Sequence, residues 1–356
     1  MPDTTHPGSY SGLNNLQTRP LSGAIVLLAV LLTACTPNLE PAPRPVERAA
    51  PPAAAEPWLS MATVHDDDWF HLLNHGEDAI EWRLRAIDSA TRSIDLQSFI
   101  WELDAFGSQL RARLLAAADR GVRVRILIDD SFMLHDDASI AELNTHPTIE
   151  YRLFNPYKRR SSSVATREVL NLGDFKRLDH RMHNKAMIVD NQIALIGGRN
   201  LADPYFGLHE EANFRDLELM IGGSIVPTLS EGFDRYWNSY WALPAETLLD
   251  TTPVNAPGGA GFASAESTVN RDARWLALAA AAAPGTAKLL LDEPPGRNPN
   301  APGEAPVQVE TELIQLFDSA SEEIWIVSAY LIPTQQLERA IERAEARDVQ
   351  VRILTN

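Results

Sequence analysis

An α/β protein, with helices on both faces of a sheet, is predicted by three observations. Between residues 78 and 154, stretches of helical spacing alternate with short apolar stretches of strand character. The strand stretches are rich in Val and Ile, as in "VRVRILI" (122–128). The same alternation then returns near the end of the chain, between residues 317 and 354.

Taken in order, "DAIEWRLRAIDSA" (78–90) is spaced as a helix and "SIDLQSFIW" (93–101) reads as a strand. "SQLRARLLAAADRG" (108–121) is a helix stopped by Gly121, and 122–128 is the next strand. "SIAELNTH" (139–146) is a short helix and "IEYRLF" (149–154) a third strand. Residues 157–180 are polar, with "YKRRSSS" locally basic, and read as a surface loop. Two strands within 181–200 follow, then the strand "FRDLELMIG" (214–222) and the helix "PTLSEGFDRYWNSYW" (227–241). The helix carries Phe233, Trp237 and Tyr240 at i, i+4 and i+7, a stripe that suits core packing. Residues 251–309 are rich in Pro, Gly and Ala and read as an inter-domain connection, with one helix at 274–283.

The repeat is close. "IDSATRSIDLQSFIW" (87–101) is echoed by "FDSASEEIWIVSAYL" (317–331), and "VRVRIL" (122–127) by "VQVRIL" (349–354). Shared letters at matching offsets signal a duplicated unit. One complete domain (58–250) and the start of a second (310–356) are therefore expected.

Composition sets limits. The chain has 356 residues, enough for two domains, with 45% hydrophobic and 22% charged residues, as in globular proteins. Its 31 Lys+Arg against 48 Asp+Glu give a formal charge of −17, which repels polyanions at long range. No nucleic-acid partner is expected, since any polyanion site would have to be a local basic patch. The single cysteine, Cys35, rules out an intrachain disulfide and a cysteine-rich zinc site. It follows an apolar run, residues 21–32, that is too short for a bilayer and suits a signal-peptide core. Leu32-Thr33-Ala34-Cys35 resembles the lipobox of bacterial lipoproteins, which implies lipidation at Cys35 and a cell-envelope location. An ordinary cleaved signal peptide or an uncleaved anchor is the alternative. Residues 36–57 are a Pro/Ala-rich tether.

The chemistry concentrates in "RMHNKAMIVDNQIALIGGRN", residues 181–200. On a strand, His183 and Lys185 project together while Asn184 points away. Residues 186–189 are apolar on both faces, Asp190-Asn191-Gln192 form a turn, and 193–196 return as the second strand. Gly197-Gly198 let the backbone approach a ligand closely, Arg199 follows, and Asn200 brings an amide donor. An imidazole, a fixed cation, an amide and exposed backbone N–H groups together suit an anionic oxyacid, with a nucleophile included.

His183-x-Lys185-x4-Asp190, six residues and then Gly197-Gly198-x-Asn200 resembles the signature of the phospholipase D superfamily. The flanking "RLFNPY", "GGRNLADPYFG" and "FDRYWNS" are similar to its bacterial cardiolipin synthase and lipoprotein branch. The resemblance runs from about residue 78 to 241 and resumes from about 307. It implies a phospholipase D-like α/β/α sandwich, and a phospholipid substrate at a membrane. It also implies phosphatidyl transfer or hydrolysis through a phosphohistidine, without metal or cofactor. In that scheme His183 attacks phosphorus or protonates the leaving group, and Lys185 and Asn200 stabilise the non-bridging oxygens. Gly197, Gly198 and Arg199 form the substrate-binding stretch. Asp216 resembles the acidic residue that orients the nucleophilic imidazole. Glu218 shares its strand face and competes for that role. Asp190 belongs to the motif, although at a turn a loop-fixing carboxylate is the plainer reading.

Most members of that superfamily carry two such signatures facing one another. This chain has one, and no histidine after His209. A second half is expected either in cis, from a segment beyond a truncated chain, or in trans. A nucleic-acid phosphodiesterase and an inactive phosphate-binding half-site remain the competing functions.

Overall fold

The computed structural model describes residues 44–131, 137–161, 164–249, 268–296 and 308–355. Cys35 and the apolar run before it lie outside the described residues.

In chain order the first elements are α1 (Trp58–Met61), β1 (Asp68–Leu73), α2 (Gly76–Ser89), β2 (Ser93–Ser98), α3 (Ala105–Asp119) and β3 (Arg123–Asp129). Then come α4 (Asp137–Asn144), β4 (Ile149–Phe154), α5 (Val164–Leu170), α6 (Phe175–Leu178), β5 (Ala186–Val189), β6 (Ile193–Gly197) and β7 (Glu218–Gly222). The domain closes with α7 (Val226–Trp237), β8 (Ala242–Pro244), α8 (Thr268–Ala281) and β9 (Ala283–Gly285). Nine strands form one sheet in the order β8-β4-β3-β2-β5-β6-β7-β1-β9. The pairs β2–β3 and β3–β4 are parallel and the others antiparallel.

Side-chain alternation splits the core into two layers. Ile126, Met187, Val189, Ile193 and Leu195 face a cluster that includes Leu84 and Ile87 of α2, Leu110 and Leu114 of α3, Ile140 of α4 and Trp275 of α8. Leu127, Ile188 and Ala194 face the other way, onto Val226, Leu229, Phe233 and Trp237 of α7. This is the α/β/α sandwich expected from the sequence.

Several local expectations need correction. The basic loop 157–180 contains α5, α6 and a 3-10 turn at Leu172–Asp174. Its cations are largely neutralised: Lys158 and Arg177 pair with Asp174, and Arg160 with Asp130 and Asp137. Tyr240 lies past the end of α7, and Tyr236 takes the buried place beside Trp237. The connecting stretch is part of the core: Trp275 of α8 is fully buried, β9 edges the sheet, and Trp241 donates its indole N–H to the Pro295 carbonyl (2.7 Å). The Pro/Ala-rich stretch, where described, is laid along the domain rather than free. Ala53 is buried and donates its amide to the Asp190 carbonyl (3.0 Å), while the Asn191 and Gln192 side chains donate to Ala50 and Ala53 carbonyls (3.1 and 2.8 Å). The turn of the β5–β6 hairpin supplies the polar partners that such a stretch lacks on its own.

The C-terminal copy is built as the first one is. Helix α9 (Gln308–Ser319), β10 (Glu323–Val327), α10 (Gln335–Glu345) and β11 (Gln350–Leu354) repeat α2-β2-α3-β3. Both strand pairs are parallel, and Glu323↔Gln350 repeats the register Ser93↔Arg123 at the equivalent positions. The turn before the second strand uses a positive φ in both copies, +89° at Gly121 and +64° at Asp348. Even a small bond recurs: Ser98 donates to the Ile100 carbonyl, and Ser328 to the Tyr330 carbonyl (2.9 and 3.3 Å).

Candidate functional site

His183 and Lys185 were expected on a central strand. They lie in the extended lead-in to β5, which is the fifth of the nine strands and begins one residue after Lys185. His183 is exposed, and its ring packs on Phe99 with centroids 4.7 Å apart at a 58° tilt. Lys185 projects to the same side. Its Nζ lies 5.6 Å from the Phe99 ring centroid and donates to the His183 carbonyl (2.8 Å). Asn184 faces the opposite layer and hydrogen-bonds Tyr236 of α7. The period-two argument therefore carries over to an extended segment that is not itself paired.

Burial and neighbouring charge shift both groups from their ordinary titration. Burial pushes the Lys185 ammonium down to about 8, with Asp216 opposing. Although His183 keeps accessible surface, the partial desolvation of its ring, then the Lys185 charge, lower the imidazole, again against the pull of Asp216. The ring is thus held neutral, with a lone pair available, beside a cation that can receive negative charge.

Asp216 and Glu218 part company here. Glu218 is buried and held by a two-pronged ion pair with Arg83 of α2. Asp216 is half-buried, and its charge reaches both His183 and Lys185. Its place follows from Gly198: a Cβ there would lie 2.2 Å from Asp216 Oδ1. The glycine pair is needed for this approach of β7's lead-in to β6, because a Cβ on Gly197 would likewise lie 2.4 Å from the Leu217 carbonyl oxygen.

Other members of the sequence constellation are tied into the fold by hydrogen bonds. Arg199 is buried, and its guanidinium donates to the carbonyls of Tyr205, Asn74 and Asp216, so it joins three segments beside a pocket that it lines with Asp216 and Tyr205. The Gly198 N–H is spent on the Leu217 carbonyl (3.1 Å). Asn200 is buried; its Oδ1 accepts from the Ile100 amide (3.2 Å), and its side chain hydrogen-bonds the Tyr205 hydroxyl. Asp190 stands at the far end of the hairpin, seven residues from His183, roughly 20 Å along an extended chain. Its carboxylate accepts from the Trp58 indole (2.7 Å), the Thr91 amide and hydroxyl (both 2.8 Å), and the Arg92 and Ser93 amides (2.7 and 2.9 Å). These bonds make it a latch between the hairpin turn, α1 and the start of β2. His180 stacks on Trp241, with ring centroids 5.9 Å apart.

Sequence reading missed Phe99, which supports both His183 and Lys185, and Tyr205, which bonds Asn200. Spacing within a polar motif carries no signal for an aromatic ring just past the end of a neighbouring strand. Among the described residues no cluster of three or more His, Cys, Asp or Glu could hold a metal ion.

A mixed-sheet α/β/α sandwich with His-x-Lys leading into its middle strand, and Gly-Gly-x-Asn closing the next, has the architecture of the phospholipase D superfamily. The chain belongs to the "Cardiolipin synthase, PLD-like domain" family, whose model matches residues 84–237 and 313–356. Cardiolipin synthase C of Escherichia coli (strain K12) is 36% identical over 296 residues, covering 78% of this chain and 60% of that protein. Cardiolipin synthase A of Pseudomonas putida (strain GB-1) is 27% identical over 306 residues, covering 84% of this chain and 53% of that one. The chain thus spans a little over half the length of these curated relatives. The phosphatidylserine synthase structure from Haemophilus influenzae superposes with a TM-score of 0.53 at 12% identity, over 84% of this chain and 65% of that one, which shows the shared fold.

Proposed function

We propose that the chain carries one half of a centre that transfers or hydrolyses the phosphodiester of a phospholipid, cardiolipin synthase-like, through a phosphohistidine. The observation that carries this reading is the neutral-leaning His183 ring beside a half-buried Lys185, with Asp216 within electrostatic reach of both. A ring nitrogen of His183 attacks phosphorus and the bond to one alcohol oxygen breaks. An acceptor alcohol, or water, then displaces the histidine. Lys185 stabilises the non-bridging oxygens as negative charge builds on them. Asn200, already bonded to Ile100 and Tyr205, keeps the turn after β6 in place.

The departing alkoxide needs a proton from the side opposite the nucleophile. Positioned proton transfer is commonly worth about 10²–10⁴-fold. That group is proposed to come from a second half bearing its own His-x-Lys motif, in cis or in trans. The repeat of the first βαβ run in 308–355 supports a facing partner of the same build. Lipidation at Cys35 is proposed to hold the site at a membrane of the bacterial envelope. Among the described residues no helix is long and apolar enough to cross one.

The test uses phosphatidylglycerol vesicles and, separately, plasmid DNA, both with chelator present. The chain alone should bind vanadate, lose that binding in Lys185→Ala, and turn over little lipid. Fusing the C-terminal half of a longer relative should restore lipid turnover, and His183→Ala should abolish it. Cleavage of DNA in preference to lipid would overturn the substrate class. Full lipid turnover by a strictly monomeric 356-residue chain would overturn the need for a second half.

A further inference from the structure

The segment that carries His183 into β5 makes no strand pairing, so its direction is set by something other than the sheet. Two buried side chains supply that. Asp129, the last residue of β3, accepts from the Met182 amide (2.9 Å) and lies 3.4 Å from the Arg181 guanidinium. Arg181 also donates to the Asn155 carbonyl (3.0 Å). From β2, Gln97 reaches the sulfur of Met182 (2.9 Å), and the Met182 side chain is itself buried. The residue immediately before His183 is thus gripped by its backbone and by its side chain.

Asp129 has no accessible surface, and a buried carboxylate is costly unless hydrogen bonds compensate it. Its compensation comes from the amide and hydroxyl of Ser131 in its own turn, and from the lead-in to β5. Its neighbour Asp130 is committed elsewhere, to Arg160, to the Tyr157 amide and to Arg167. Within this acidic pair, only Asp129 touches the histidine-bearing segment.

We propose that Asp129 is a positioning residue for His183, its carboxylate fixing Arg181 and Met182 so that the imidazole is presented toward Lys185 and Asp216. The inference rests on the reading of His183 as the attacking group. Burial raises the Asp129 carboxyl to about 6, against the pull of Arg181 and the hydrogen bonds from Ser131 and Met182. Protonation removes its charge and turns one oxygen into a donor, so it can no longer serve both Arg181 and Met182. The grip is therefore present above about 6 and is lost as pH falls through that value.

Nuclear magnetic resonance of the full chain with 15N-methionine and 13C-histidine labels tests this. The Met182 amide proton should titrate with a midpoint near 6, and the His183 ring signals should show the same step in addition to their own. Asp129→Asn should remove that step from both and displace the His183 signal, with a thermal unfolding midpoint showing that the variant is folded. A folded Asp129→Asn with unmoved His183 signals overturns the proposal. So does a flat Met182 amide in the unmutated chain, which decides the matter even where the variant fails to fold. Inorganic phosphate separates the two readings: if it leaves the His183 signal unperturbed, the attacking role falls while the Asp129–Met182 contact stands.

Discussion

In the proposed reaction Lys185 acts as a cation, and its surroundings hold that charge within reach of ordinary buffers. Burial lowers the ammonium to about 8 from 10.5, because removing it from water disfavours the charged form. Anion binding needs the protonated form, so affinity is present below about 8 and is lost as pH rises through it. Sulfate, whose own charge is constant over this range, is the suitable ligand. Calorimetry should show it binding about tenfold more weakly at pH 9 than at pH 7, the drop expected from one unit of deprotonation. Lys185→Met should bind weakly at both. A pH-independent affinity would mean that another cation holds the anion. The same environment disfavours protonation of His183 near neutrality, as its proposed attacking role requires.

At the scale of elements, the β5–β6 hairpin has one end that carries the candidate site and another that ties segments together. The lead-in to β5 and the exit from β6 hold His183, Lys185 and the glycine pair. The turn holds Asp190, which ties together α1 through Trp58, the start of β2 through Thr91, Arg92 and Ser93, and the hairpin itself. Asp190 and Asn191 adopt left-handed backbone (φ +54° and +52°), which Asp and Asn tolerate better than most residues. Asp190→Asn places an NH2 group against a ring of donors. It should cost about 2–4 kcal/mol, read from the urea midpoint, since it strands buried donors. The His183 ring signals should stay where they are in the folded variant. A neutral effect on stability, with lost turnover in the two-half enzyme, would return Asp190 to the catalytic set.

For the whole molecule, the two copies of the βαβ run differ in what covers them. In the first, β2 and β3 lie inside the nine-stranded sheet, flanked by β5 and β4. In the second, β10 and β11 form a two-stranded sheet that buries Ile324 on one face, while Trp325 is 60% exposed, Val327 74% and Leu354 68%. The repeat places Trp325 where the first copy has Asp95, and Arg352 where it has Arg125. Asp95 and Arg125 make a buried bidentate pair (2.7 and 2.8 Å), whereas the Arg352 guanidinium lies over the Trp325 ring at 4.5 Å. Contiguous exposed apolar surface drives association, against which the net charge of −17 acts. Sedimentation velocity should show concentration-dependent self-association that strengthens with added salt. Trp325→Asp, which recreates the pair of the first copy, should reduce it. Association unchanged by that substitution would place the contact elsewhere.

What the sequence determined by itself is what depends on period and local spacing. The helix–strand alternation from 78 to 154, the hairpin of 181–200 and the duplicated run all follow from side-chain periodicity and turn residues, which act over a few positions. The pairing of His183 with Lys185 on one side was legible for the same reason. Tertiary structure decided everything that depends on which distant segments meet. It separated Asp216 from Glu218, because Arg83, remote in the chain, claims only one of them. It turned Arg199 and Asp190 inward, because the nearest unpaired carbonyls and amides belong to other segments. It also pressed the Pro/Ala-rich stretch onto the hairpin turn and placed Phe99 under the histidine. Long-range partners have no signature in local spacing: a buried polar group takes whichever partner the fold brings within about 3 Å.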